Sequence, residues 1–148
     1  MVHRIFIAIN LPESVKNELL AYQNRWPELP ARWTSPENLH ITLVFLGNMS
    51  DKELEDVQKT IQEVLQKHKP FSIKLLNIMF GPSDSQARMI WAAGDTPKEL
   101  LDVQEDLAKA LNRVENRKFS LHLTLARFQE WEFRHIAPED RPEINEDI

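Results

Sequence analysis

Cysteine is absent from this chain of 148 residues, glycine occurs three times and tyrosine once. Without cysteine there can be no disulfide and no thiolate-rich zinc site, which fits a reducing cytoplasm. So few glycines leave little room for the backbone-lined loops that cradle phosphates. No Gly-rich phosphate loop, His-Glu-x-x-His helix or nucleophile elbow occurs. No apolar run approaches the roughly 18 residues of a membrane span, and the opening stretch Met1–Asn10 is too short for a signal peptide. An excess of positive charge is missing too. The net charge is −5, and residues 130–148 carry seven carboxylates against two arginines, so the remainder is balanced. Sequence-blind binding of long nucleic acid is thereby disfavoured. One small anion or one RNA end needs only a few aimed donors.

What is present is an ordinary globular composition, 42% apolar and 28% charged, in a chain the size of one domain. Residues 3–10 read as a strand, and Pro12 opens a helix with Val15, Leu19 and Tyr22 on one face. The proline-rich stretch Trp26–Pro36 reads as loop. A strand over 38–46 follows and stops at Gly47. Ser50 with Glu53 makes a capping box for a helix bearing Leu54, Val57, Ile61, Val64 and Leu65. Residues 71–80 and 87–94 read as strands around a turn at 81–84. Thr96, Pro97 and Glu99 begin a third helix with the stripe Leu100, Val103, Leu107, Leu111 and Val114. The last strand spans 119–128, and little regular structure is expected in the acidic tail, 130–148.

One tetrapeptide occurs twice, as His40-Ile41-Thr42-Leu43 and as His122-Leu123-Thr124-Leu125, 82 residues apart. Alternation along a strand puts His40 and Thr42 on one face, and His122 and Thr124 likewise. Each copy ends a strand, helix, strand series. The gap from Ile5 to His40 is 35 residues and that from Ile90 to His122 is 32. We therefore expect two similar lobes facing each other, each contributing one histidine strand. A single His-x-Thr can be a satisfied core histidine beside a threonine chosen for strand propensity. Two copies in matched contexts point instead to chemistry.

Imidazole titrates near pH 6.5, so one ring can be neutral while the other is protonated. On a cyclic phosphodiester the neutral ring takes a proton from the attacking water, and the charged ring gives one to the departing ribose oxygen. Thr42 and Thr124 would donate to the non-bridging oxygens as charge builds there. No metal and no cofactor are required. The residues leave open which histidine plays which part.

The strings Arg32-Trp33, Pro36-Glu-Asn-Leu-His40-Ile-Thr-Leu-Val-Phe-Leu-Gly47 and His122-Leu-Thr-Leu-Ala-Arg127, with the opening Arg4-Ile-Phe-Ile-Ala-Ile, resemble the RNA 2′,3′-cyclic phosphodiesterases. These are LigT-like members of the two-histidine phosphoesterase superfamily. The resemblance covers residues 4 to about 128. It implies an α+β bilobal fold, two pseudo-symmetric lobes of mostly antiparallel sheet with flanking helices around a central cleft. It implies hydrolysis of RNA 2′,3′-cyclic phosphate ends to 2′-phosphomonoesters, with His40 as proton donor and His122 as proton acceptor. It also places Arg127 at the phosphate, although strict alternation turns Arg127 away from His122 unless a bulge intervenes. Relatives usually continue for a few dozen residues more. The expectation is one two-lobed domain, 1–148, in which either the lobe closes differently or the usual C-terminal strands are lacking; in the second case the sheet that carries one histidine strand has an unpaired edge.

Trp33 and Arg32, in a loop, are candidates for substrate binding; Phe45 and Trp91 read as core. His3, His68 and His135 have no partner motif and are left out of the site. The expected partners are RNA 3′ ends or small cyclic-phosphate nucleotides, with no membrane and no obligate protein partner, for a monomer in the cytoplasm. Two other readings stay open: a cyclic phosphodiesterase acting on an ADP-ribose type of nucleotide, and a non-catalytic module that binds RNA ends.

Overall fold

The computed structural model describes residues 1–23, 25–136 and 144–147. The chain alternates between two compact units. The first comprises Met1–Ile9, Thr42–Lys74 and Asp95–Leu121; the second comprises Asn10–Ile41, Leu75–Gly94 and His122–Ile148. The fold is α+β, as expected, but the units are not the two halves of the sequence. In each strand, helix, strand series the helix belongs to the other unit from the strands that carry the repeat's sheet.

In the first unit, β1 (Val2–Asn10) and β3 (His40–Ser50) form a two-stranded sheet. β1 alternates between exposed and half-buried residues along its whole length, the signature of a strand with one covered face. β3 outruns its expected end because Gly47 adopts φ +77°, a kink glycine takes without strain. Ser50 then caps α2 (Asp51–Leu65). Its hydroxyl accepts from the Glu53 amide at 3.2 Å, and the Glu53 carboxylate accepts from the Ser50 amide at 3.3 Å. α3 (Lys98–Ala110) buries Leu100, Val103, Leu107 and Ala108 and is tied to β3 by Gln104 Nε2 donating to the Leu43 carbonyl at 3.2 Å. Val114, expected on the α3 stripe, is exposed because the helix has already ended. Thr96 does not cap α3; its hydroxyl accepts from the Leu121 amide at 2.9 Å, one residue before His122.

The second unit holds α1 (Glu13–Leu20) and a five-stranded sheet in the order β2-β6-β5-β4-β7. The strands are β2 (Arg32–Trp33), β4 (Asn77–Gly81), β5 (Met89–Ala93), β6 (His122–Arg127) and β7 (Asn145–Asp147), antiparallel throughout. One sheet face is core. Ile78, Ile90, Ala92, Leu123 and Ala126 are essentially inaccessible, and Phe80 packs edge-on against Phe128 and Phe133, with centroids at 6.2 and 5.2 Å. β4 begins six residues later than the expected strand at 71. α1 stops at Leu20, so Tyr22 lies beyond it and stacks on Trp26.

The acidic segment departs from expectation. Residues Glu130–Arg134 form a short helix, α4, and β7 pairs with β4 through Asn77↔Asp147 and Met79↔Asn145. A strand from the acidic segment thus lies along β4 over those residues. Residues 137–143 of that segment lie outside the described residues. No helix among the described residues is long and apolar enough to cross a membrane.

Candidate active site

β6 decides the geometry. Its register with β5 pairs Ala93↔His122, Ala92↔Leu123 and Trp91↔Thr124, then Ile90↔Ala126 and Met89↔Arg127. Leu125 has no partner across, so β6 carries a one-residue bulge. A bulge reverses the parity of every side chain beyond it. Arg127 therefore joins His122 and Thr124 on one face, while Leu123, Leu125 and Ala126 are buried. The thioether of Met89 marks this shared face. Thr124 Oγ1 donates to its sulfur at 3.8 Å, and Arg127 Nη1 donates to the same sulfur at 3.5 Å.

Arg32 is opposite Arg127 across β2 and β6. Directly opposed residues in an antiparallel pair share a face and are neighbours, so Arg32 and Arg127 lie next to each other on one face of the sheet. Among the described residues neither has a carboxylate partner. Trp33 pairs with Ala126 and so lies on the other face. It is half-buried and stacked on Trp26, centroids 6.3 Å apart with planes 7° from parallel. The structure groups Arg32 with His122, Thr124 and Arg127, and does not group Trp33 with them.

His40 opens β3. Its Nδ1 lies 2.6 Å from the Asn38 carbonyl oxygen. A carbonyl only accepts, so Nδ1 is the donor in this contact. The route from β6 to His40 is short. Thr34 donates through its amide to the Leu125 carbonyl at 2.8 Å and through its hydroxyl to the Thr124 carbonyl at 3.1 Å. Six residues later the chain reaches His40, after a 3-10 turn at Pro36–Asn38. Even fully extended, such a span reaches about 20 Å, and the turn shortens it. Thr42 follows His40 on β3, half-buried, and belongs to the first unit. Both histidines fall in the second unit, so the expectation of one histidine per lobe holds for the two sheets that carry them but not for the compact units.

Three residues escaped the sequence reading. Trp91, expected in the core, lies on the His122 face and stacks on that imidazole at 4.0 Å, with planes 24° apart. Ile90 and Ala92 occupy the core face instead, and which parity of β5 points inward is set by its partners. Met89, two residues earlier, shares the Trp91 face. Gly81 makes room for the indole: a Cβ there would come within 2.3 Å of ring carbons Cδ2 and Cε2. The indole Nε1 is buried and finds no hydrogen-bond partner among the described residues, at a cost of about 1–3 kcal/mol.

Phe45, also expected in the core, is 61% exposed and faces Phe6 at 6.2 Å. Both Leu43 and Val44 are buried, the break in alternation that Leu125 and Ala126 show in β6. His3 and His68 are held by Asp51 and Asp106 at 2.6 and 2.7 Å, and His135 packs edge-on against Trp131. Among the described residues no group of three or more His, Asp or Glu side chains is placed to hold a metal ion.

The family model for LigT-like phosphoesterases matches residues 9–91, more than half of the chain. This chain belongs to the LigT-like phosphoesterase family. Among its relatives, an RNA 2′,3′-cyclic phosphodiesterase of Methanocaldococcus jannaschii is 28% identical over 127 residues, 84% of this chain and 70% of the relative. One from Bacillus subtilis is also 28% identical, over 82% of this chain and 69% of the relative. A solved structure from Thermus thermophilus superposes with a TM-score of 0.80 at 25% identity, covering 99% of this chain and 81% of that one. Escherichia coli LigT complexed with 3′-AMP gives 0.71 at 25% identity, covering 86% and 73%. The LigT-like fold expected from the paired motifs is the fold observed. The LigT-like chain is an enzyme of the phosphodiesterase class.

Proposed function

We propose that this LigT-like phosphoesterase opens 2′,3′-cyclic phosphate ends of RNA to 2′-phosphomonoesters by metal-independent acid and base catalysis. His122 takes a proton from water as its oxygen bonds to phosphorus. The bond from phosphorus to the 3′ oxygen breaks, and that oxygen leaves with the proton held by Nε2 of His40. Thr42 and Thr124 donate to the non-bridging oxygens, and Arg127 balances their charge. The observation that supports this reading is the Leu125 bulge, which leaves the side chains of His122, Thr124 and Arg127 on one face of β6.

The opposed pair Arg32 and Arg127 favours RNA over a mononucleotide. Like charges placed directly opposite destabilise a sheet, and an anion spanning both reverses the sign. Arg127 takes the cyclic phosphate and Arg32 the neighbouring phosphodiester of a chain. The case for base stacking on Trp33 is weaker, since Trp26 occupies one of its ring faces. We place the enzyme in the cytoplasm, acting as a monomer on RNA 3′ ends.

The test is hydrolysis of a short oligonucleotide ending in a 2′,3′-cyclic phosphate, with EDTA present and with 2′- and 3′-phosphate products resolved. Formation of the 2′-phosphate is expected. A 3′-phosphate product, or no turnover by folded protein, overturns the reading. Faster hydrolysis of a cyclic mononucleotide than of the oligonucleotide moves the substrate to a small nucleotide.

A further inference from the structure

We propose that Trp91 is a positioning residue for His122, its indole laid flat against the imidazole because position 81 has no side chain. The proposal rests on the reading of His122 as a proton-transferring group and goes on to say what aims it.

His122 is the first residue of β6. Only some orientations of the imidazole about its last bond present the same nitrogen to a water at phosphorus. The indole of Trp91 lies 4.0 Å from the imidazole with planes 24° apart, and so limits that rotation. An aromatic face also suits the imidazolium that forms when the proton arrives. Trp91 and His122 are not directly opposed. Trp91 pairs with Thr124, and His122 with Ala93. The contact is a diagonal one, within reach of large rings on one sheet face.

The far side of the indole is fixed by Gly81. An ideal Cβ at that position would lie 2.3 Å from Cδ2, 2.3 Å from Cε2 and 2.8 Å from Cε3 of Trp91. Any side chain there pushes the ring off its seat, and the ring is what the imidazole rests on. The indole nitrogen, buried and unpartnered among the described residues, adds nothing to the arrangement. What the site uses is the flat face.

Steady-state kinetics on the cyclic-phosphate oligonucleotide, with thermal denaturation of each variant, tests this. Trp91→Leu keeps apolar volume but no flat face, and kcat is expected to fall roughly 10- to 100-fold with KM changed by no more than about twofold. Trp91→Phe restores most of kcat. Gly81→Ala reproduces the loss, and in the Trp91→Leu background it adds nothing. Parental kcat in folded Trp91→Leu overturns the proposal, as does a Phe variant no better than the Leu variant. Additive losses in the double variant overturn the part played by Gly81. His122→Ala separates the two levels. If it retains activity, the reading of the site fails; if it is inactive while Trp91→Leu is not, only the positioning fails. Should the Leu variant not fold, the parent protein still decides by NMR. The His122 ring protons, assigned by their loss in His122→Ala, are expected upfield of their random-coil positions, and unshifted resonances overturn the stack.

Discussion

Arg127 shares a face with His122 because Leu125, between them, has no partner on β5. A regular strand would set them on opposite faces, since they are five positions apart and side chains alternate. The guanidinium should then bind substrate and leave the fold alone. Arg127→Ala is expected to raise KM about 10- to 100-fold, as loss of charge-assisted hydrogen bonds does, with an unchanged melting curve. Kinetics and calorimetry on one preparation check both halves.

Arg32 should act on the chain beyond the terminal nucleotide. Its removal is expected to weaken binding of an oligonucleotide while leaving a cyclic mononucleotide unaffected. It should also lower the slope of log affinity against log salt by roughly 0.7, the share of one phosphate contact on a single strand. A salt titration of binding to catalytically inactive protein measures this directly.

Both histidines should be needed for turnover. His40→Ala and His122→Ala are each expected to lower kcat about 10²- to 10⁴-fold. Both variants should keep the parent's melting curve, which thermal denaturation beside the kinetics checks. Near-parental kcat in either folded variant would falsify the paired-histidine mechanism.

Thr124→Val replaces a hydroxyl by a methyl of the same shape. If the hydroxyl donates to the transition state, kcat falls roughly 10²- to 10³-fold. The same change at Thr42 should act on the same step, and single-turnover rates distinguish it from slow product release.

Away from the site, Ser50→Ala removes the acceptor for the Glu53 amide at the start of α2. A loss of about 0.5–2 kcal/mol in unfolding free energy is expected, with kcat unchanged. Urea denaturation is sufficient to check it.

Much of this protein is written locally. The paired His-x-Thr-Leu motifs, the alternation of β1, and the Ser50–Glu53 cap each depend on residues a few positions apart, so the sequence displays them. The acidic segment is harder to read, because a three-residue strand such as β7 has no pattern of its own and exists only by pairing with β4. Tertiary structure alone decided the bulge at Leu125, the approach of Arg32 to Arg127, the exposure of Phe45 and the stack of Trp91 on His122. Each is a matter of register between segments distant in the chain. A shift of one residue there exchanges core and site faces, at no change in sequence. The sequence displays the repeated motifs, and cross-strand pairing determines which neighbours their side chains meet.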